Sequence, residues 1–408
     1  MRPLTQAVPV CWRLTRPQVR KLRPLVPRRR YDGPIPDRPP IGELNLKEDV
    51  PRDSHDFWRE SMYPVQRPVD PAGSSRRSHP KFFGFLHPTA KAERPEWKYA
   101  NPIHPPTADI PWPTSLSHSF QSKYWGQTEG ALRAFLRDDF PKGPWTHRPQ
   151  LIEYVDDAVD STISFVANVF PTCRPHRLRM LAKMYAVLLM HEDFVDLGNL
   201  RPHDGKEDNP AAGELSKLGL NSVASDLLGE SPLQGRRLLT SMRESASLGT
   251  SYAFMIENLD NYIPHRIQAI GVDLVFRNVE FACDLHLSSF ERDSLKAFNN
   301  ACAEHFTLTN DLYSYAKHLA NTEPGTTPSN VVFALQESVE VPPDEAKTMV
   351  RESIWEAEQE IYNKYTALLN EYGDRDIRMT YVRGVIIALA GNMFHSATCA
   401  RNAKHVET

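Results

Sequence analysis

The stretch HRLRMLAKMYAVLLMHEDFVDL, His176 to Leu197, decides the fold. It opens after Pro175, and its apolar residues cover nearly the whole circumference of a helix, as expected for a helix at the centre of a bundle. It closes on acids. Glu192 and Asp196 are one turn apart and Asp193 is three residues from Asp196, so three carboxylates crowd one rim. Two like charges about 4 Å apart repel by about 4 kcal/mol at an effective dielectric near 20. Such a rim is either a solvated helix end or a place where protein cations or a metal ion sit. Hard oxygen donors without Cys or metal-spaced His favour magnesium over zinc.

Outward from this helix, apolar residues keep recurring at three- and four-residue spacing. In QLIEYVDDAVDSTISFVANVF, residues Leu151, Tyr154, Val155, Val159, Ile163, Val166 and Phe170 build one stripe. Further helical segments are expected over roughly 213 to 229, 232 to 260, 264 to 286, 289 to 320, 328 to 337, 343 to 371 and 375 to 403. No stretch reads as an alternating strand with hairpin turns, which predicts an all-α bundle from about residue 118 onward. A fixed-period repeat is absent, and DGKEDNPAAGE fits neither nucleotide-binding glycine fingerprint. HExxH, GxSxG and CxxC are also missing, so acidic helical faces are the main candidates for chemistry.

The first third of the chain is different material. Residues 1 to 31 hold nine Arg or Lys and no acid, and 21 of the 34 prolines precede Ser115. The whole chain carries a net charge of -3, so residues 32 to 408 stand at -12, which gives no reason to expect nucleic-acid binding. We expect residues 1–117 to form a Pro/Arg-rich extension, largely irregular or disordered, whose aromatic islands DFWRE, KFFGFL and EWKYA clamp it onto the helical domain 118–408. The acid-free arm resembles a mitochondrial transit peptide in charge, but proline interrupts the helix such a signal uses, so a cytoplasmic protein is the expectation. Cys11, Cys173, Cys283, Cys302 and Cys399 are scattered, as reduced thiols are. The apolar run YAVLLM is far shorter than the eighteen or so residues a membrane span requires.

A second candidate face lies in NDLYSYAKH, Asn310 to His318. Asn310, Ser314 and His318 recur every four residues and therefore project from one side of a helix, about 40° apart per step, with Lys317 beside them. Asn and Ser are poor helix-interior residues unless they are used.

Together the two faces resemble those of a fungal class I terpene synthase, in the sesquiterpene cyclase group that includes longiborneol-synthase-like proteins. In that family an aspartate-rich motif, DDxxD or DDxxE, faces an NSE motif, NDxxSxxxE, across the mouth of a helical bundle. The first is matched by Glu192, Asp193 and Asp196, and the second by Asn310, Asp311 and Ser314. YIPHRIQAIG is similar to the segment whose arginine senses the diphosphate, at Arg266, and AGNMFHSATCARN to GNxxWSxxxxRY, with a diphosphate-binding arginine at Arg401. The resemblance spans about 118 to 405.

It implies a Mg²⁺-dependent cyclase acting on a prenyl diphosphate, either farnesyl or geranylgeranyl diphosphate, as a monomer or homodimer. It assigns metal to Glu192, Asp193, Asp196, Asn310, Ser314 and His318, and the diphosphate to Arg266, Lys317 and Arg401. Asp193, Arg266, Asn310 and Arg401 would carry the ionisation. Phe165, Phe194, Phe276 and Phe306 are candidates for the wall of the apolar pocket or for plain core.

Four positions depart from the family pattern: His318 replaces the glutamate of the NSE motif, Ala269 an aspartate, His395 a tryptophan and Asn402 a tyrosine. A neutral imidazole supplies no charge to magnesium, whereas a protonated one could meet the diphosphate as a cation. The departures motivate a second reading, a catalytically silent homologue that binds a terpenoid or a partner.

Overall fold

The computed structural model describes residues 62–65, 68, 70–73, 79–88, 97–138, 149–196, 210–249, 259–322 and 328–403; within its helices, side chains are described from 125 to 138, 155 to 190, 219 to 244 and 262 onward. The basic arm, DFWRE and most of DGKEDNPAAGE lie outside the described residues, as do the side chains of Glu192, Asp193, Phe194 and Asp196.

Thirteen helices are described. They are α1 (Trp125–Asp138), α2 (Pro149–Val169), α3 (Pro175–Asp196), α4 (Pro210–Glu230), α5 (Pro232–Gly249), α6 (Leu259–Ile270) and α7 (Val272–Ala282), followed by α8 (Ser289–Ser294), α9 (Lys296–Asn321), α10 (Val331–Val339), α11 (Pro343–Tyr372), α12 (Ile377–Thr398) and α13 (Ala400–Ala403). Proline opens α2, α3, α4, α5 and α11, where its missing N–H costs nothing and its fixed φ suits the first turn. Polar caps open others: Ser288 and Glu291 close a capping box on α8, Asn330 caps α10 and Asp376 caps α12.

The bundle is all-α as expected, with refined boundaries. The single segment expected over 264–286 divides at Gly271, whose φ of +71° is left-handed and lets the chain turn between α6 and α7. Pro264 sits inside α6 instead of opening it. The segment 289–320 divides at Leu295, and 375–403 at Cys399.

The helix α12 is enclosed along its whole length, from Met379 to Thr398, and packs against α2, α7, α9 and α11. Its approach to α2 depends on Gly391. A Cβ there would lie 2.0 Å from the Asn168 carbonyl oxygen, so only glycine allows this closeness.

One strand pair, lying on both sides of residue 117, departs from the strand-free expectation. Ala100–Ile103 (β1) and Ser119–Ser122 (β2) pair antiparallel in the register Ala100 with Ser122 and Ile103 with Ser119. Four-residue strands are too short to show alternation, and Pro102 is tolerated because β1 is an edge. β2 is buried throughout and rests on α2 and α12. Apart from this pair and two 3-10 turns, at Gly84–Leu86 and Pro105–Ala108, the described extension is irregular.

It is nevertheless bound into the bundle. Phe83, Leu86, Trp97, Trp112, Leu116 and Phe120 belong to the same core as the helices, on both sides of residue 117. Polar ties accompany the apolar ones. Asp70 accepts from Arg351 at 2.8 Å, the Trp355 indole donates to the Pro113 carbonyl at 2.7 Å, and Tyr63 donates to Asp160 at 2.6 Å. On α11 the buried carboxylate of Glu358 accepts from the Ser115 N–H at 2.6 Å and from the Thr114 hydroxyl, with His305 of α9 at 3.3 Å. No disulfide joins the described cysteines, and no helix among the described residues is long and apolar enough to cross a membrane.

Candidate active site

The polar centre of the bundle is built around α9. Its buried side carries Thr307, Thr309, Asp311 and Ser314, an unusual polar density for a helix in contact with α6, α7, α11 and α12. Asp311 is the hub. Its carboxylate, fully buried, accepts from Arg266 of α6 through Nη2 at 2.7 Å and through Nε at 3.1 Å to both oxygens. One oxygen also accepts the Val331 N–H at 2.8 Å, an amide of the first turn of α10. Arg266 further reaches the Ser329 hydroxyl at 3.4 Å. A single carboxylate thereby fixes the arginine and the start of the next helix.

Asn330 completes this corner. It is fully buried; its Oδ1 accepts from the Val332 N–H at 2.9 Å, and its Nδ2 lies 2.8 Å from the Asp311 carbonyl oxygen and 3.2 Å from His318 Nδ1. Burial holds His318 well below the usual imidazole range, reinforced by the charges of Lys317, Arg266 and Arg401. Near neutral pH it is therefore uncharged.

His395 of α12 feels two of the same cations, Arg401 and Lys317. Its Nδ1 is 2.9 Å from the Ser164 hydroxyl of α2, and burial, followed by Arg401 and Lys317, pushes its pKa down to about 3. Beside it begins an aromatic wall. The Phe165 ring is 5.4 Å from His395 and 4.8 Å from Tyr185, and Tyr185 stacks on Phe170 at 5.8 Å while accepting from Asn278 at 2.9 Å. Phe165 is only partly buried, whereas Phe276 and Phe306 are enclosed in the core.

The structure thus brings Arg266, Asn310, Ser314, Lys317, His318 and Arg401 to one end of α9 and its neighbours. Helices α3 and α9 both pack on α7, and α3 runs to Asp196. Among the described residues, no three His, Cys, Asp or Glu side chains are placed to hold a metal ion; Asn310 and Ser314 carry oxygen atoms on α9 that could serve as donors. Ser314 fits such a role: its hydroxyl is buried without a hydrogen-bond partner. An orphaned hydroxyl of this kind is a cost to the fold unless a ligand satisfies it.

Of the departures from the family pattern, Asn402 has turned inward, donating to the Ser396 carbonyl at 3.0 Å and tying α13 to the end of α12. Ala269 sits partly buried near the end of α6. A surface groove of about 460 Å³ between α1, α3 and α4, lined by Phe135, His176, Met180, Lys183 and Asp226 among others, contains none of these groups.

The sequence reading missed Asn330, Ser164 and Tyr185. Asn330 carried a legible signal, a helix-capping residue directly before the apolar run VVFAL. Ser164 and Tyr185 carried none, because their roles depend on contacts between distant helices.

Residues 231–360 match the family model described as terpene synthase family 2, C-terminal metal binding, a span that includes Arg266, Asn310, Ser314 and Lys317. The chain is 24% identical over 323 residues to terpene cyclase 6 of Gibberella fujikuroi, covering 75% of this chain and 86% of that one. It is 22% identical over 343 residues to the terpene cyclase aneC of Aspergillus aculeatus, covering 79% and 77%. Among solved structures it resembles 2-methylisoborneol synthase from Streptomyces coelicolor, in complex with Mg²⁺ and 2-fluoroneryl diphosphate, with a TM-score of 0.53 and 14% identity over 68% of this chain and 92% of that one. The chain is thus a relative of fungal terpene cyclases with the class I terpene synthase helical fold.

Proposed function

We propose that this relative of terpene cyclases is itself a cyclase, ionising farnesyl diphosphate and closing the resulting allylic cation with release of diphosphate. In the ionisation the C–O bond breaks and its electron pair leaves with the diphosphate. The cation ends by losing a proton or capturing water.

The observation that carries this reading is the buried, unpartnered Ser314 hydroxyl on α9, one turn from Asn310 and close to a corner ringed by Arg266, Lys317 and Arg401. Asn310 and Ser314 offer hard oxygen donors suited to Mg²⁺, and in this reading Glu192, Asp193 and Asp196 of α3 supply the other set. Bound Mg²⁺ would supply countercharge to the diphosphate. The chain's own cations do the rest of the anchoring. Arg266, oriented by Asp311, and Lys317 and Arg401 gather positive charge where the leaving group accumulates negative charge.

The neutral state of His318 and His395 matters here, because it leaves the cationic charge to Arg266, Lys317 and Arg401. Phe165 and Tyr185 offer aromatic faces on the apolar side, worth about 0.5 to 2 kcal/mol each toward a carbocation.

Incubation of the purified protein with farnesyl or geranylgeranyl diphosphate and Mg²⁺, with products resolved by gas chromatography, tests this reading. A cyclic hydrocarbon or alcohol that disappears in Asp193→Ala supports it, and absence of turnover with both substrates contradicts it. The second reading, a silent terpenoid-binding homologue, draws on the commitment of Arg266 to Asp311 and on the replacement of the NSE glutamate by His318.

A further inference from the structure

The hydrogen bonds around Asn330 determine which nitrogen of His318 carries its proton. The Val332 N–H can only donate, so the Asn330 atom 2.9 Å from it is the carbonyl oxygen. The Asp311 carbonyl can only accept, so the atom 2.8 Å from it is the amide nitrogen. Both ends of the amide are assigned by partners that admit one role each. The second hydrogen of that nitrogen is directed to His318 Nδ1 at 3.2 Å, and an amide nitrogen cannot accept. Nδ1 must therefore offer its lone pair. The ring proton is left on Nε2, the nitrogen that does not face Asn330.

This arrangement removes the two roles that the position suggests. An Nε2 that bears hydrogen has no lone pair for a metal, and protonation of Nδ1 would set two donors against each other across the Asn330 contact. What remains is a neutral N–H donor on a ring that feels the positive charges of Lys317, Arg266 and Arg401, and an anionic acceptor suits such a donor.

We propose that Asn330 holds His318 in the Nε2–H form and that His318 donates this hydrogen to a phosphate oxygen of a diphosphate ligand, in place of binding metal. This rests on the proposed function for the identity of the anion, although the tautomer itself does not. Asn330 is a positioning residue, acting through His318. The carboxylate common at this position would bring charge to the metal; His318 instead brings one more donor to the leaving group.

Two measurements on the full-length protein test the proposal. The first is the ¹⁵N spectrum of selectively labelled histidine in the ligand-free protein, with His318 assigned by its disappearance in His318→Phe. The expected signature is a bare Nδ1 and a protonated Nε2, giving way to a tautomer mixture in Asn330→Ala. A protonated Nδ1 in the wild type overturns the proposal.

The second is calorimetric titration with inorganic diphosphate in saturating Mg²⁺. His318→Phe should weaken binding about tenfold and His318→Gln, whose amide N–H falls near the position of Nε2, by less than about threefold. Equal affinity of wild type and His318→Phe overturns the donor contact. A parallel titration with a thiolo analogue of farnesyl diphosphate separates the sources of the anion: equal losses support contact with the substrate, and loss with inorganic diphosphate alone supports contact with the released product. If wild type binds neither anion, the proposed function fails and the donor contact fails with it, while the ligand-free spectrum still reports the tautomer.

Discussion

Arg266 and Asp311 form a buried ion pair in which Nη2 and Nε both face the carboxylate, at 2.7 and 3.1 Å, with the carboxylate fully enclosed and the guanidinium 12% exposed. The pair joins α6 to α9 and, through the Val331 N–H, to the start of α10. Its geometry sets where the arginine points and so links packing to the chemistry proposed for this corner.

Replacing Asp311 by Ala should therefore destabilise the protein by about 3 to 5 kcal/mol, because a buried guanidinium loses its counterion and α10 loses an amide partner. Equilibrium unfolding in urea measures this. A loss below about 1 kcal/mol would show that the pair is not the hub described.

Ser314→Ala should behave in the opposite way. Its hydroxyl has no partner in the fold, so stability should stay within about 0.5 kcal/mol of wild type. The Mg²⁺ concentration for half-maximal turnover should rise about tenfold, as expected for the loss of one hard oxygen donor. An unchanged Mg²⁺ dependence would remove Ser314 from the metal site.

The docking of the extension predicts a large effect far from the site. Phe83, 1% exposed, lies within 5.7 to 6.1 Å, ring to ring, of Tyr362, Tyr365 and Phe85. Phe83→Ala should cost about 3 to 5 kcal/mol in urea unfolding. A cost near that of a surface substitution would mean that the segment is dispensable to the bundle.

Glu358 gives the same docking a pH dependence. Burial alone would raise its pKa, but hydrogen bonds from His305, Thr114 and the Ser115 amide outweigh burial and hold it below the ordinary value of 4.5. A depressed folded-state pKa stabilises the fold above the unfolded value and loses that contribution as pH falls through the folded one. Unfolding midpoints of the wild type should therefore drop below about pH 4.5, and less steeply in Glu358→Gln. Parallel slopes for the two proteins would exclude Glu358 as a source.

How much of this was legible in the sequence varies by residue. The near-complete apolar circumference of 176–197 identified α3, and the four-residue spacing of Asn310, Ser314 and His318 placed them on one helix, because helical period is a local property. Gly271 and Leu295 divided expected helices because a backbone conformation, which no periodicity encodes, sets those ends. Glu358 is one acid among several in IWEAEQE; only its partners distinguish it from the exposed Glu356 two positions away, and two of them, Thr114 and Ser115, lie more than 240 residues earlier in the chain. The tautomer of His318 was similarly out of reach, since it depends on Asn330 and, through it, on the Val332 and Asp311 backbone.

The central claim is that the acidic end of α3 and the Asn310–Ser314 face of α9 share one diphosphate through Mg²⁺. The most direct test is a crystal structure of the wild-type protein with Mg²⁺ and a thiolo analogue of farnesyl diphosphate. Ions are expected on Asp193 or Asp196 and on Asn310 and Ser314, joined by a diphosphate that also meets Arg266, Lys317 and Arg401. A diphosphate bound elsewhere, or no ion at Asn310 and Ser314, would contradict it.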